Sequence, residues 1–183
     1  AAMAFSSAGL GLCHALSHSL GGLYHVPHGR LNAILLPAVV GVNSGWGSYA
    51  PIARSGGMGG AADSMAVRNL KSGLISLRKR LRLPSTLAQA GVPAAKLRTD
   101  TPAIVRTALA DPCCSTNPRP VDEQLIRAVL KEVEGKRIYS HVGKRNAASL
   151  AVHEKCGFYR ISDTAAYIDG SVDSKAYTMS NIK

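Results

Sequence analysis

"GLCHALSHSLGGLYHVPHGR", residues 11–30, holds four of the chain's six histidines. His14 and His18 are four residues apart, so on a helix they share one face with Cβ atoms about 5–6 Å from each other. They can then address one point in space. His25 and His28 follow the Gly21-Gly22 pair and flank Val26-Pro27. Gly21-Gly22 is expected to break the first helix, residues 26–29 to form a turn, and Pro27 to suit the entry to a second helix. His28 then returns at that helix's start. Neutral imidazole binds zinc, iron, copper and nickel. Four histidines in so short a stretch read as a metal or catalytic site, against the plainer reading of unrelated core and surface side chains.

Residues 30–42 read as a buried helix, apolar on most sides. "NSGWGSYAP" and "SGGMGGA" punctuate a short segment at residues 49–54. Asp63 is the expected N-cap of a long helix reaching about Leu83, with Pro84 as its stop. "LPSTLAQAGVP" is expected to hold a short helix ended by Gly91, and two more helices follow at about 100–110 and 121–133. "DPCCSTNPRPV" between them is rich in capping and turn residues. Near Glu134-Gly135 the texture changes: "RIYSHVG", "YRISDTAAYIDG" and "KAYTMSNIK" have strand character around a helical "NAASLAVHEKCGF". The expected fold is therefore mainly α: a bundle of six or seven helices over residues 1–133, then a small C-terminal α/β appendage over 134–183.

The 183 residues are 46% hydrophobic, enough for one domain with a real core plus an appendage. No apolar run reaches the roughly 18 residues of a membrane span; the longest, residues 33–42, contains Pro37. No basic segment marks a secretory leader. Four cysteines without a CxxC spacing point to reduced thiols and a cytoplasmic setting. The net charge is +11, and residues 61–100 contribute most of it, with eight basic side chains against two acidic. Val67, Leu70, Leu74, Leu77 and Leu81 form a stripe at helical spacing there, and the basic residues mostly fall beside it. That pattern is a solvated helix face. With two Phe, six Tyr and one Trp in the chain, base-stacking platforms are scarce, and nucleic acid is not an expected partner.

The stretch "GLCHALSHSLGGLYHVPHGRLNAILLPAVV" resembles the C-terminal helical domain of the iron-containing (group III) alcohol dehydrogenases, whose pattern is H-x3-H-P-L-G followed by P-H-G-x2-N-A-I-L-L-P. The resemblance runs on through "GGAADSMAVRNLKSGLISLRKRLRLPSTLAQAGV" to "ALADPCCSTNPRPV" and covers about residues 1–133. It is nearest to the propanol and ethanol dehydrogenases of diol and ethanolamine utilisation. It implies that His14 and His28 are metal ligands, for Fe(2+) or alternatively Zn(2+). It implies that His18 lines the substrate pocket and relays the alcohol's proton, that NAD(P) takes the hydride, and that the substrate is a small alcohol or aldehyde. His25 lies where the family varies, and Ser19 stands in place of the usual proline. The family's remaining ligands, an Asp and a His, and its nucleotide-binding domain are expected upstream of residue 1. The chain then reads as the metal-side half of a dehydrogenase, able to form a homo-oligomer, with no carboxylate of its own expected near the histidines.

"SHVGKRNAASLAVHEKCGFYRIS" resembles the last part of GCN5-related N-acetyltransferases, with the pattern N-x2-A-x2-L-Y-E-K-x-G-F. Asn146, Glu154, Lys155, Gly157 and Phe158 match it. The resemblance implies an Asn146 contact to CoA and puts His153 where the family has its thiolate-protonating tyrosine. The pyrophosphate loop of that family has no counterpart in the preceding residues. Two alternatives to a dehydrogenase follow: an acetyltransferase-related protein acting through the tail, and a non-catalytic fusion or truncation product.

Overall fold

The histidine-bearing segment folds as two helices joined by a tight turn. In the computed structural model, which describes residues 2–135, 139–156, 158–167 and 169–181, α1 spans Ala2–Ala8, α2 Leu12–Tyr24 and α3 His28–Val42. The expected break at Gly21-Gly22 does not occur. α2 runs through both glycines, and the interruption falls earlier, where Gly9 takes a φ of +73°. Leu12, Leu16 and Leu20, one helical face of α2, are completely buried. Burying each is worth roughly 1.5–3 kcal/mol, which outweighs the ~1 kcal/mol that each glycine costs a helix relative to alanine. α2 ends instead at His25, whose left-handed backbone (φ 54°) returns its N–H to the Gly21 carbonyl.

α5 (Asp63–Arg80) packs on α3, and α4 (Tyr49–Ser55) packs on α5. Ala50, Ala53, Ala66, Val67 and Leu70 form a small second core there with Val40 of α3. The apolar stripe on α5 is only half used, because Leu77 and Leu81 remain 49% and 60% exposed. Asp63 is not the N-cap. Ala62 holds that position without a side-chain bond, and Asp63 sits in the first turn, paired with Arg54. The basic residues are not all solvated either. Pro37 lies inside α3 and has no N–H to give the Ala33 carbonyl one turn back. Arg78 of α5 reaches across, and its Nη1 donates to the Ala33 carbonyl at 3.3 Å and to that of Ile34 at 3.2 Å. Removing the guanidinium strands the partly buried Ala33 carbonyl. Arg78→Met is expected to cost about 1–3 kcal/mol, measured by urea unfolding, whereas Arg80→Met should be near neutral.

α6 (Ala94–Ala110), a 3₁₀ turn (Pro112–Thr116) and α7 (Glu123–Val133) complete the helical unit. The short helix expected in "LPSTLAQAGVP" is a series of turns. Its N–H groups serve the end of α7 instead: Leu87 donates to the Val133 carbonyl at 2.8 Å and Ala88 to that of Glu134 at 3.1 Å. Leu87 and Val92 thereby plug the main core that α2, α3, α6 and α7 enclose. Asp122 caps α7, accepting from the Leu125 N–H at 2.7 Å. Asp122→Ala should cost about 1 kcal/mol, read as a lower thermal midpoint. Tyr24 at the end of α2 donates to Asp100 of α6 at 3.0 Å, and Lys96 donates to the same carboxylate. These two bonds, that from Lys96 first, hold the Asp100 carboxyl below its usual range. The tie therefore acts fully above the unfolded carboxylate's value of about 3.9 and fades as pH falls below it.

The chain divides into two compact units, Ala1–Gly135 and Lys136–Lys183. In the second, β1 (Tyr139–Gly143), α8 (Ala147–Lys155), β2 (Tyr159–Ser162) and β5 (Ala176–Ser180) build an antiparallel sheet in the order β1-β5-β2 with one helix, and β3 (Ala165–Ala166) pairs with β4 (Val172–Asp173). Arg137, expected in the first strand, and Gly157 of the tail motif lie outside the described residues. Among the described residues eight α-helices precede or flank this small sheet. None is long and apolar enough to cross a membrane.

Candidate metal centre

α2 and α3 meet at the Val26-Pro27 turn, and that angle brings three imidazoles together. Ring centroids of His14 and His28 are 5.1 Å apart, His18 and His28 5.3 Å, and His14 and His18 6.2 Å. His18 and His28 are stacked, their planes 17° apart. His25 is the left-handed C-cap of α2 and is exposed.

The nitrogens are oriented as well as clustered. The amide nitrogen of Asn32, one turn into α3, lies 2.9 Å from Nε2 of His28 and 3.4 Å from Nε2 of His14. An amide nitrogen only donates, so both Nε2 atoms accept, and their lone pairs meet at the Asn32 amide nitrogen. Nδ1 of His28 is 2.9 Å from the hydroxyl of buried Ser17, which donates onward to the His28 carbonyl at 3.3 Å. With Nε2 accepting, Nδ1–H donates to Ser17, and the tautomer is set by a residue behind the ring. Burial first, then repulsion from His28 and His18, holds His14 below the ordinary histidine range, which keeps its ring neutral. Two imidazoles whose Nε2 atoms meet at one side-chain amide are a donor set that fits a divalent transition metal once that amide turns aside. Ser17→Ala leaves His28 unbraced and should weaken divalent metal binding by about 10–100-fold with the helical circular dichroism unchanged; equal affinity in the variant would contradict the bracing.

A carboxylate joins the cluster after all. Asp111 comes from the end of α6, and its Oδ2 lies 2.8 Å from Nδ1 of His18. Its Oδ1 accepts from the backbone N–H of Cys113 at 2.8 Å, capping the 3₁₀ turn. Burial pushes the Asp111 carboxyl up, but the bonds from His18 and Cys113 prevail and hold it below its usual value. The Cys113 thiol stands beside it, pushed up to about 11 by burial and then by Asp111. One ring nitrogen of His18, one oxygen of Asp111 and the sulfur of Cys113 all lie within 4.8 Å of one another. Cys13 is buried and raised to about 12 by that burial; its thiol faces the Asn32 carbonyl and side-chain oxygens. A cleft of about 800 Å³ elsewhere, lined by Gly41, Ser44, Arg68 and Lys71 among others, contains none of these histidines.

The profile of the Fe-containing alcohol dehydrogenase family, C-terminal domain, matches residues 1–133. The chain belongs to that family. It is 40% identical over 139 residues to the 1-propanol dehydrogenase PduQ of Salmonella typhimurium, covering 73% of this chain and 38% of that protein. It is 37% identical over 125 residues to the lactaldehyde reductase of Escherichia coli, covering 65% of this chain and 31% of that enzyme. Among solved structures, a 1,3-propanediol oxidoreductase superposes with a TM-score of 0.61 at 34% identity over 68% of this chain and 32% of its own. An alcohol dehydrogenase from Oenococcus oeni gives 0.65 at 28% identity over 72% and 34%. The chain thus spans roughly a third of the length of the iron-containing dehydrogenases it matches.

Of the residues singled out in the sequence, His14, His18 and His28 stand together, and Asn146 stands in the other unit. There Asn146 caps α8, its side-chain oxygen accepting from the Ser149 N–H at 3.0 Å. His153 is 2.8 Å from the Ser140 hydroxyl through Nε2 and 2.8 Å from the Ser149 carbonyl through Nδ1. Sequence reasoning overlooked Ser17, Asn32, Asp111 and Cys113 as members of the centre. Asn32 carried a signal, since it is the asparagine of the P-H-G-x2-N run. Asp111 carried none beyond its place in a capping turn.

Proposed function

We propose that this chain is the metal-bearing part of an NAD(P)-dependent, iron-containing alcohol dehydrogenase that interconverts a small primary alcohol and its aldehyde. The observation that carries the reading is that Nε2 of His14 and Nε2 of His28 meet at the one Asn32 amide nitrogen, with the His18–Asp111 couple beside them. His14 and His28 would hold Fe(2+), and when bound the ion supplies Lewis-acid chemistry to an alcohol oxygen. His18 does the proton work. Its Nδ1–H donates to Asp111, which leaves Nε2 as the base for a hydroxyl proton, and Asp111 stabilises the imidazolium that results. His18 is 45% exposed at its side chain, which allows the proton to pass on to water. No residue of this chain is assigned to the nicotinamide.

Residues 1–133 are then the dehydrogenase part and 134–183 a separate appendage, in a cytoplasmic protein that associates with copies of itself. The strand–helix–strand order of the tail supports the acetyltransferase-like reading of it, in which Asn146 would meet CoA. The test of the main reading is an anaerobic Fe(2+) titration. Binding that the His14→Ala/His28→Ala variant loses supports it, and stoichiometric iron retained by that variant overturns it.

A further inference from the structure

We propose that His18, Asp111 and Cys113 form a second metal position at the edge of the histidine cluster, one that selects zinc and, when filled, withdraws His18 from proton transfer. The site itself stands on geometry alone; its inhibitory consequence rests on the role proposed above for His18. The three donor atoms already lie within 4.8 Å of one another. Tetrahedral zinc, with bonds of about 2.0–2.2 Å to N and O and about 2.3 Å to S, needs donor separations of roughly 3.4–3.6 Å. His18 Nδ1 and Asp111 Oδ2, now 2.8 Å apart, need open by only about 0.6–0.8 Å to admit an ion between them.

The donors are held from three directions. His18 is fixed along α2. Asp111 is anchored at the end of α6 by its second oxygen, which accepts from the Cys113 backbone. Cys113 is carried by the 3₁₀ turn that this same bond caps. One imidazole, one carboxylate and one thiolate are a softer set than the two imidazoles of His14 and His28, and the sulfur favours zinc over iron. Binding releases the Cys113 thiol proton to solvent, moves the His18 ring proton from Nδ1 to Nε2, and leaves a fourth position for water, so no other reactant is required. With zinc in place the Asp111 oxygen and the His18 ring serve the ion, and the base proposed for the alcohol's proton is no longer free.

The experiment is cobalt titration of the chain, with Co(2+) as a spectroscopic stand-in for zinc, followed by zinc competition. The unaltered chain should develop a thiolate-to-cobalt charge-transfer band that zinc abolishes. Cys113→Ser should lose the band and bind zinc at least tenfold more weakly. Asp111→Asn, which keeps the thiol, should retain the band at a higher half-saturating cobalt concentration. The His14→Ala/His28→Ala variant should keep the band while losing iron, so failure of the iron assignment and failure of this site are read separately. Absence of a thiolate band in the unaltered chain, or a band that survives in Cys113→Ser, overturns the proposal.

Discussion

Replacing His14 with alanine is expected to weaken Fe(2+) binding by about a hundredfold or more. Residues that merely brace a ligand cost about 10–100-fold when lost, and His14 stands in front of them as a donor. Its Nε2 and that of His28 meet at the Asn32 amide nitrogen; with His14 gone, a single imidazole remains there. The pH dependence has a definite sign. An imidazole must be neutral to bind, and His14 is held below the ordinary histidine value, by burial first and by His28 and His18 after it. Its lone pair is therefore fully available above pH about 6.5 and survives somewhat below it before protons compete. Anaerobic titrations at pH about 7.5 and about 5, on the chain and on His14→Ala, measure both effects. Affinity that is unchanged by the substitution, or flat across that pH interval, contradicts the assignment.

The largest expected loss of stability is at Leu16. It lies on α2 between His14 and His18 in sequence but on the opposite, completely buried face. Leu16→Ala removes methyl and methylene groups and leaves a cavity that the surrounding helices close only in part, at a cost of about 2–5 kcal/mol. For a unit of this size each kcal/mol moves the thermal midpoint by several degrees, so the transition should fall by roughly 10 °C. Leu77→Ala is the control: the same chemical change on α5, where the side chain is 49% exposed, should stay within about 0.5 kcal/mol. A Leu16→Ala protein as stable as that control would mean that α2 does not organise the core. The histidine face of α2 depends on this packing, so Leu16→Ala should also bind iron more weakly without touching a ligand.

How far the sequence foretold these features follows from how local each one is. His14 and His18 are related by one helical turn and His28 by one tight connection, so periodicity and turn chemistry bring them together on paper as they do in the fold. Asp111 is 93 residues from His18, and in sequence it is simply the acid before a proline in a turn. It does cap that turn, but a carboxylate has two oxygens, and local reading accounts for only one of them. The mainly helical architecture was legible from spacing, whereas two details were not. Gly21-Gly22 looks like a stop because propensity counts each glycine singly, and the burial of Leu12, Leu16 and Leu20 is a tertiary fact. The segment at Leu87 looks helical until its N–H groups are seen to belong to the end of α7.

The proline inside α3 also carries an implication for how this sequence can change. Pro37 creates the need that Arg78 meets, since the Ala33 carbonyl has no helical N–H to accept. The two positions are therefore epistatic, and the order of substitution matters. Losing Arg78 while Pro37 is present strands a carbonyl; losing it after Pro37 has become alanine, whose N–H restores the helical bond, strands nothing. A lineage can reach a chain lacking both residues by one route through a stable intermediate and by the other only through a weakened one. The arginine is thus a dependent of the proline, and the permissive step is the one taken at residue 37.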